Sequence, residues 1–192
     1  GGHDVGVDAL VAPGAARTLV GEGVRRERIP RGDHEPGPYR ARLGRDEGVR
    51  FAAVTGMSTD LGNTAVFGAL LTGGTLEIVP ADVVTDGPAL SALIAEHEVT
   101  AMKITPSHLR ALLAGGDIAL PLELLVIGGE ALDGDLAEHA RAAGARRIVN
   151  HYGPTETTIG VFTYELPDPA PTVVPIGRPL PQARAQVLDA LG

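Results

Sequence analysis

The sequence predicts an α/β fold: a mostly parallel sheet with flanking helices. Short apolar runs rich in Val, Ile and Leu alternate with longer segments whose apolar residues recur at helical spacing. Units of roughly 20 residues leave room for a helix between successive strands, the crossover that parallel pairing requires. Residues that start and stop helices bracket several of the helical segments.

The regular pattern begins after about residue 37. Residues 1–37 include the polar stretch Gly21 to Gly37, with Arg25-Arg26-Glu27-Arg28 followed by Pro30, Gly32 and Pro36, and little apolar periodicity. That composition predicts a loop or disorder. Residues 38–192 hold the regular part. Phe51 to Val54 reads as a strand, and Asn63 as the cap of a helix from Thr64 to Leu71 that closes at Gly73-Gly74. Thr75 to Val79 reads as the second strand. Asp86 caps a helix carrying Leu90, Leu93 and Ile94, and Val99 to Ile104 is the next strand. Thr105 then caps a helix with Pro106 in its first position and Leu109, Leu112 and Leu113 turned inward. Leu124 to Ile127 is a strand, Asp133 opens a helix to Ala143, and Arg147 to Val149 is the last strand of the series. Gly160 to Tyr164 and Ala185 to Leu188 read as later strands, separated by the Pro-rich loop from Pro167 to Pro175.

Composition excludes several classes of function. The formal charge of −8 argues against nucleic acid as a partner. No run approaches the roughly 18 apolar residues of a membrane span, so no membrane partner is expected. Cysteine is absent, which rules out disulfides and thiolate chemistry and fits a cytoplasmic setting. The six histidines form no metal-ligand spacing, so zinc is not expected.

The most informative stretch is Asn150-His151-Tyr152-Gly153-Pro154-Thr155-Glu156, directly after the apolar run Arg147-Ile148-Val149. Ligands of open α/β sheets bind outside the C-terminal ends of strands. Each group there suits a nucleotide. Asn150 matches a base edge and the Tyr152 ring a base face, while Gly153-Pro154 turns the chain. Thr155 can donate to a phosphate oxygen, and Glu156 can hold the hard cation that accompanies phosphates.

This stretch, as N-x-Y-G-P-T-E, resembles the signature of the adenylate-forming enzymes, in the form found in adenylation domains of nonribosomal peptide synthetases. Leu125-Val126-Ile127-Gly128-Gly129-Glu130-Ala131 is similar to the family's G-G-E-A turn, and Pro175-Ile176-Gly177-Arg178-Pro179 with Val187-Leu188-Asp189 to its P-I-G-x-P…V-L-D segment. The resemblance covers residues 38–189 and implies a fragment of the large N-terminal subdomain of such an enzyme. It implies ATP and Mg²⁺ as cofactors, with Thr155 and Glu156 catalytic and Glu156 on the metal. Nucleotide contacts would come from Gly128, Gly129, Glu130, Asn150, Tyr152, Gly153 and Thr155. It also implies a carrier protein whose phosphopantetheine thiol accepts the product, and condensation domains beside it. No stretch matches the family's lysine-bearing phosphate loop, its downstream T-G-D, or its C-terminal subdomain. The chain alone is therefore not expected to form an aminoacyl adenylate.

The amino-acid pocket can be read from the same resemblance. Asp60, in Ser58-Thr59-Asp60-Leu61-Gly62, stands where the family pairs an aspartate with the substrate's ammonium, although Thr59 and Gly62 depart from the usual F-D-x-S. The other positions are Leu61, Thr64, Lys103, Val126, Gly128, His151, Ile159 and Gly160. Independently of any family, strand alternation puts Lys103 on one face with Val99 and Ala101, where an ammonium is costly unless an anion meets it. With Asp60 opposite and His151 as a second donor, the cavity would suit a short anionic side chain. The ordered set also resembles the family's pattern for aspartate, with β-hydroxyaspartate and asparagine as neighbouring candidates. Asp60, Lys103, Val126, Gly128 and His151 are expected to converge at one rim of the sheet. Two other readings stay open: an acyl- or aryl-CoA ligase of the same family, and a non-catalytic remnant of the fold.

Overall fold

The computed structural model describes residues 49–56, 59–154, 157, 160–181 and 183–186, and of Asp60 the backbone alone. The expected loop over residues 1–37, Thr155, Glu156, Ile159 and the Val187-Leu188-Asp189 segment lie outside these.

Seven strands form one sheet: β1 (Arg50–Ala53), β2 (Thr75–Ile78), β3 (Ala101–Ile104), β4 (Leu124–Gly128), β5 (Arg147–Tyr152), β6 (Phe162–Glu165) and β7 (Arg178–Pro179), in the order β2-β1-β3-β4-β5-β6-β7. The first five are parallel, and β6 and β7 add an antiparallel edge. The mostly parallel α/β reading therefore holds. Every residue of β3 and β4 is buried, as expected of central strands covered on both faces.

The helices divide between the faces. Helix α1 (Asp60–Thr72) covers one, packing Ala65 and Ala69 on Phe51, Ala53, Ala101 and Val126. Gly68 sits against the Phe51 ring, where a β-carbon would lie 2.7 Å from ring carbons. The opposite face carries the larger core. There α3 (Gly87–Glu96), α4 (Pro106–Ala114) and α5 (Gly134–Ala142) bring Leu90, Ile94, Leu109, Leu112, Leu136 and Ala140 onto Met102, Ile104, Leu125, Ile127 and Ile148. A short helix α2 (Ala81–Val84), not anticipated from the sequence, packs Val83 and Val84 against the same core.

The expected caps are present at α3, α4 and α5, where Asp86, Thr105 and Asp133 accept from the backbone N–H groups of Ala89, His108 and Leu136. The α1 cap is different. The helix starts one turn earlier than Asn63 predicts, after Thr59, whose hydroxyl donates to the Gly56 carbonyl. This start brings Leu61, Thr64, Ala65, Gly68 and Ala69, at helical spacing, toward the sheet. The helix ends at Gly73 in the left-handed conformation, as expected.

Other boundaries move too, and the strand expected from Gly160 to Tyr164 runs from Phe162 to Glu165. Val99 lies before β3, its N–H closing α3 on the Ile94 carbonyl, and it packs in the core opposite Ala101 rather than beside it. Strand β5 continues to Tyr152, because His151 and Tyr152 pair with Thr163 and Phe162 of β6. The polar cluster thus begins inside the strand instead of after it. The expected strand from Ala185 is not formed at residues 185–186, and Leu188 lies outside the described residues.

Candidate functional site

Parallel register places Lys103 beside Val126 and Gly128 beside His151 at the C-terminal ends of β3, β4 and β5. All four lie on the face covered by α1, beside the apolar cluster of Phe51, Ala53, Ala101 and Leu124. Asp60 is the first residue of α1, one turn ahead of Thr64 and on the same helical face. The expected convergence at one rim is thus present in the backbone, and the side chains of Lys103, Thr64 and His151 meet.

These three polar side chains are buried to 3%, 3% and 4% exposure. The Lys103 ammonium donates to the Thr64 hydroxyl at 2.8 Å and stands 3.1 Å from Nδ1 of His151. Thr64, expected to provide space, therefore also orients the lysine. Burial lowers the His151 pKa from 6.5 to about 4, the nearby Lys103 charge adds to the lowering, and a backbone hydrogen bond with Gly160 opposes it. At neutral pH the ring is uncharged. Gly160 lies against the far side of that ring: a β-carbon there would collide with Nε2, Cε1 and Cδ2. This need for glycine has no signal in the local sequence, because the two residues belong to different segments.

The glycine turn after β4 closes the rim. Gly129 has φ +93°, a conformation that favours glycine, and a β-carbon on it would come within 2.9 Å of Leu61. Leu61 therefore borders the same rim as Gly128 and Gly129. Glu130 turns outward, accepting from the Ser107 N–H at 3.0 Å and the Ser107 hydroxyl at 2.6 Å. Its carboxylate thus sits at the positive N-terminal end of α4, a contact that local sequence does not signal.

The residues assigned to the base lie on the other face of β5. Asn150 is buried and its Nδ2 donates to the Pro175 carbonyl at 2.8 Å, tying β5 to the Pro-Ile-Gly-Arg-Pro segment. Tyr152, half-buried, packs edge-on against Phe162 with ring centroids 6.1 Å apart. Gly153 follows as the chain leaves the strand. Among the described residues no group of three His, Cys, Asp or Glu side chains could hold a metal ion, and no helix is long and apolar enough to cross a membrane.

Comparison with known proteins places this geometry. The family model for AMP-binding enzymes matches residues 35–192. Surfactin synthase subunit 1 of Bacillus subtilis (strain 168) is 37% identical over 153 residues, which cover 75% of this chain and 4% of that protein. The nonribosomal peptide synthetase agiA of Aspergillus flavus is 37% identical over 145 residues, 74% of this chain and 2% of that protein. The chain thus spans a small part of the length of these relatives. Among solved structures, the Vibrio cholerae adenylation domain AlmE in complex with glycyl-adenosine-5'-phosphate superimposes with a TM-score of 0.63 at 26% identity, covering 74% of this chain and 29% of that one. The Klebsiella oxytoca NpsA N-terminal subdomain in complex with anthranilyl-AMSN gives a TM-score of 0.68 at 25% identity, covering 82% and 41%. With a family match over most of its length and relatives that are peptide synthetases, the chain belongs to the AMP-binding enzyme family, as part of an adenylation domain of the nonribosomal peptide synthetase kind.

Proposed function

We propose that this chain is the amino-acid-selecting part of a cytoplasmic adenylation domain that activates L-aspartate. In the intact domain the substrate α-carboxylate would attack the α-phosphorus of ATP. A carboxyl oxygen–phosphorus bond forms as the bond to the pyrophosphate leaving group breaks. The carboxylate is already the nucleophile, so no general base is needed, and catalysis rests on positioning and charge neutralisation. The aspartyl group would then pass to the phosphopantetheine thiol of a carrier protein, for use by neighbouring condensation domains.

The observation that carries the aspartate reading is Lys103. It is a buried ammonium beside Ala101 and Val126, held by Thr64 and facing a neutral His151. A buried ammonium of this kind can pair with the side-chain carboxylate of a bound aspartate. Asp60, at the head of the helix that carries Thr64, would take the substrate ammonium. Leu61, Val126 and Ile159 would wall the cavity, and Gly128 and Gly160 would leave it room. On the nucleotide side, Gly128, Gly129, Glu130, Asn150, Tyr152 and Gly153 would line the adenosine site, with Asn150 and Glu130 acting through the backbone segments they fasten. Thr155 would meet a phosphate and Glu156 the Mg²⁺ that accompanies ATP; both lie outside the described residues.

An aryl-acid substrate is the alternative that likeness to the NpsA subdomain favours. An aryl acid without an amino group would leave Asp60 without a counterpart. The deciding experiment is ATP–pyrophosphate exchange by the intact domain with a panel of amino and aryl acids. Aspartate is expected to give the highest rate and asparagine a much lower one. Preference for a neutral amino acid or an aryl acid would refute the reading.

A further inference from the structure

The sequence suggests His151 as a second donor to the substrate, but its contacts give it a different task. A lysine ammonium offers hydrogens and no lone pair. The ring nitrogen 3.1 Å from it must therefore be the acceptor, and an accepting ring nitrogen carries no proton. In a neutral imidazole the proton then sits on the other nitrogen, Nε2, which faces Gly160. We propose that His151 is a positioning residue: a neutral ring, protonated on Nε2, whose Nδ1 directs the Lys103 ammonium toward the substrate side chain.

Four observations support this assignment. The ring is 4% exposed, and burial disfavours its charged form. A charged ring would set two positive groups 3.1 Å apart, whereas a neutral one leaves Lys103 as the cation of the pair. Thr64 accepts a second hydrogen from the same ammonium, so the nitrogen is fixed from two directions. Finally, the side-chain-free surface at Gly160 supports the ring from behind, where any other residue would push it out of line. The sequence element that carries the signature of the family thus also holds the device that aims the selecting lysine, through the residue between Asn150 and Tyr152.

The functional consequence rests on the aspartate reading, whereas the protonation state does not, so the two are tested separately. In the full 192-residue chain labelled with ¹⁵N-histidine, two-bond ¹H–¹⁵N correlation at neutral pH reads which nitrogen of His151 is protonated, with H151N identifying its signals. Nδ1 is expected among unprotonated ring nitrogens and Nε2 among protonated ones. A proton on Nδ1, or on both nitrogens, overturns the proposal without bearing on the substrate. In the intact adenylation domain, H151N retains an acceptor near the place of Nδ1 and H151L does not. H151L is expected to lower the aspartate-to-asparagine preference at least about tenfold, while H151N keeps it within about threefold of the parent, where tenfold corresponds to about 1.4 kcal/mol. Equal loss in both variants, or loss in neither, overturns the positioning role. A parent domain that does not activate aspartate would defeat the substrate reading and leave the NMR result to decide the protonation state.

Discussion

Gly160 occupies a position that the His151 ring denies to any other residue, since a β-carbon there would overlap the ring atoms Nε2, Cε1 and Cδ2. The contact joins two parts of the chain that the sequence separates by the whole signature turn. Gly160→Ala is therefore expected to displace the ring or the turn, at the cost of about 1–3 kcal/mol typical of overpacking. Urea unfolding of the variant measures it. Unchanged stability would mean that the ring does not rest on this backbone.

Because burial keeps His151 neutral, its protonation is linked to stability. The folded-state pKa of about 4 lies below the ordinary value of 6.5, so between these pH values the unfolded chain binds a proton that the folded chain refuses. The contribution is fully present above pH 6.5 and is lost as pH falls toward 4. A shift of this size corresponds to a few kcal/mol. Asp133, held below its normal pKa by the Leu136 N–H and Arg110, adds a loss of its own as its carboxylate protonates. The His151 part is isolated by comparing wild type with H151N, whose stability should fall less between pH 6.5 and 4. Parallel curves would contradict the neutral ring.

The Glu130 carboxylate accepts two hydrogen bonds from Ser107 in the first turn of α4. Capping contacts at exposed helix ends are worth about 1 kcal/mol. Glu130→Ala is expected to lower stability by about that amount, and less so in a Ser107→Ala background, because the hydroxyl bond is then already gone. A double-mutant cycle by thermal unfolding measures the coupling, and a value of zero would show that the contact contributes nothing.

Glu98 is the non-glycine residue with a left-handed backbone among those described, at φ 49°, in the turn after α3. That conformation costs an ordinary residue about 1 kcal/mol or somewhat more. Glu98→Gly relieves it but frees the unfolded chain, an opposing effect of about 0.4–1 kcal/mol. Glu98→Asn keeps a side chain tolerant of the conformation and is expected to stabilise more than Glu98→Gly. Differential scanning calorimetry gives the order; destabilisation by Asn would contradict it.

Much of the sheet was legible because its strands are short apolar runs, and three of its caps because Asp86, Thr105 and Asp133 bond locally. What escaped depended on partners distant in sequence. Strand β5 runs through Asn150, His151 and Tyr152 because β6 returns antiparallel along it, and no local pattern announces that pairing. Helix α1 starts at Asp60 rather than after Asn63 because burial against the sheet outweighs the intrinsic capping preference of asparagine. In the site, Lys103 stood out because an ammonium on a central strand is rare. The Thr64, His151 and Gly160 contacts that hold it in place come from three other segments and appear only once the sheet is assembled.

Lys103→Ala in the intact adenylation domain, assayed by ATP–pyrophosphate exchange with aspartate and asparagine side by side, tests the specificity reading most directly. Removing one partner of a buried ion pair costs about 3–5 kcal/mol. Each 1.4 kcal/mol is about tenfold, so aspartate-dependent exchange should fall by two orders of magnitude or more, with asparagine affected far less. An aspartate-to-asparagine preference that survives the substitution unchanged would make the lysine a bystander and remove aspartate as the substrate.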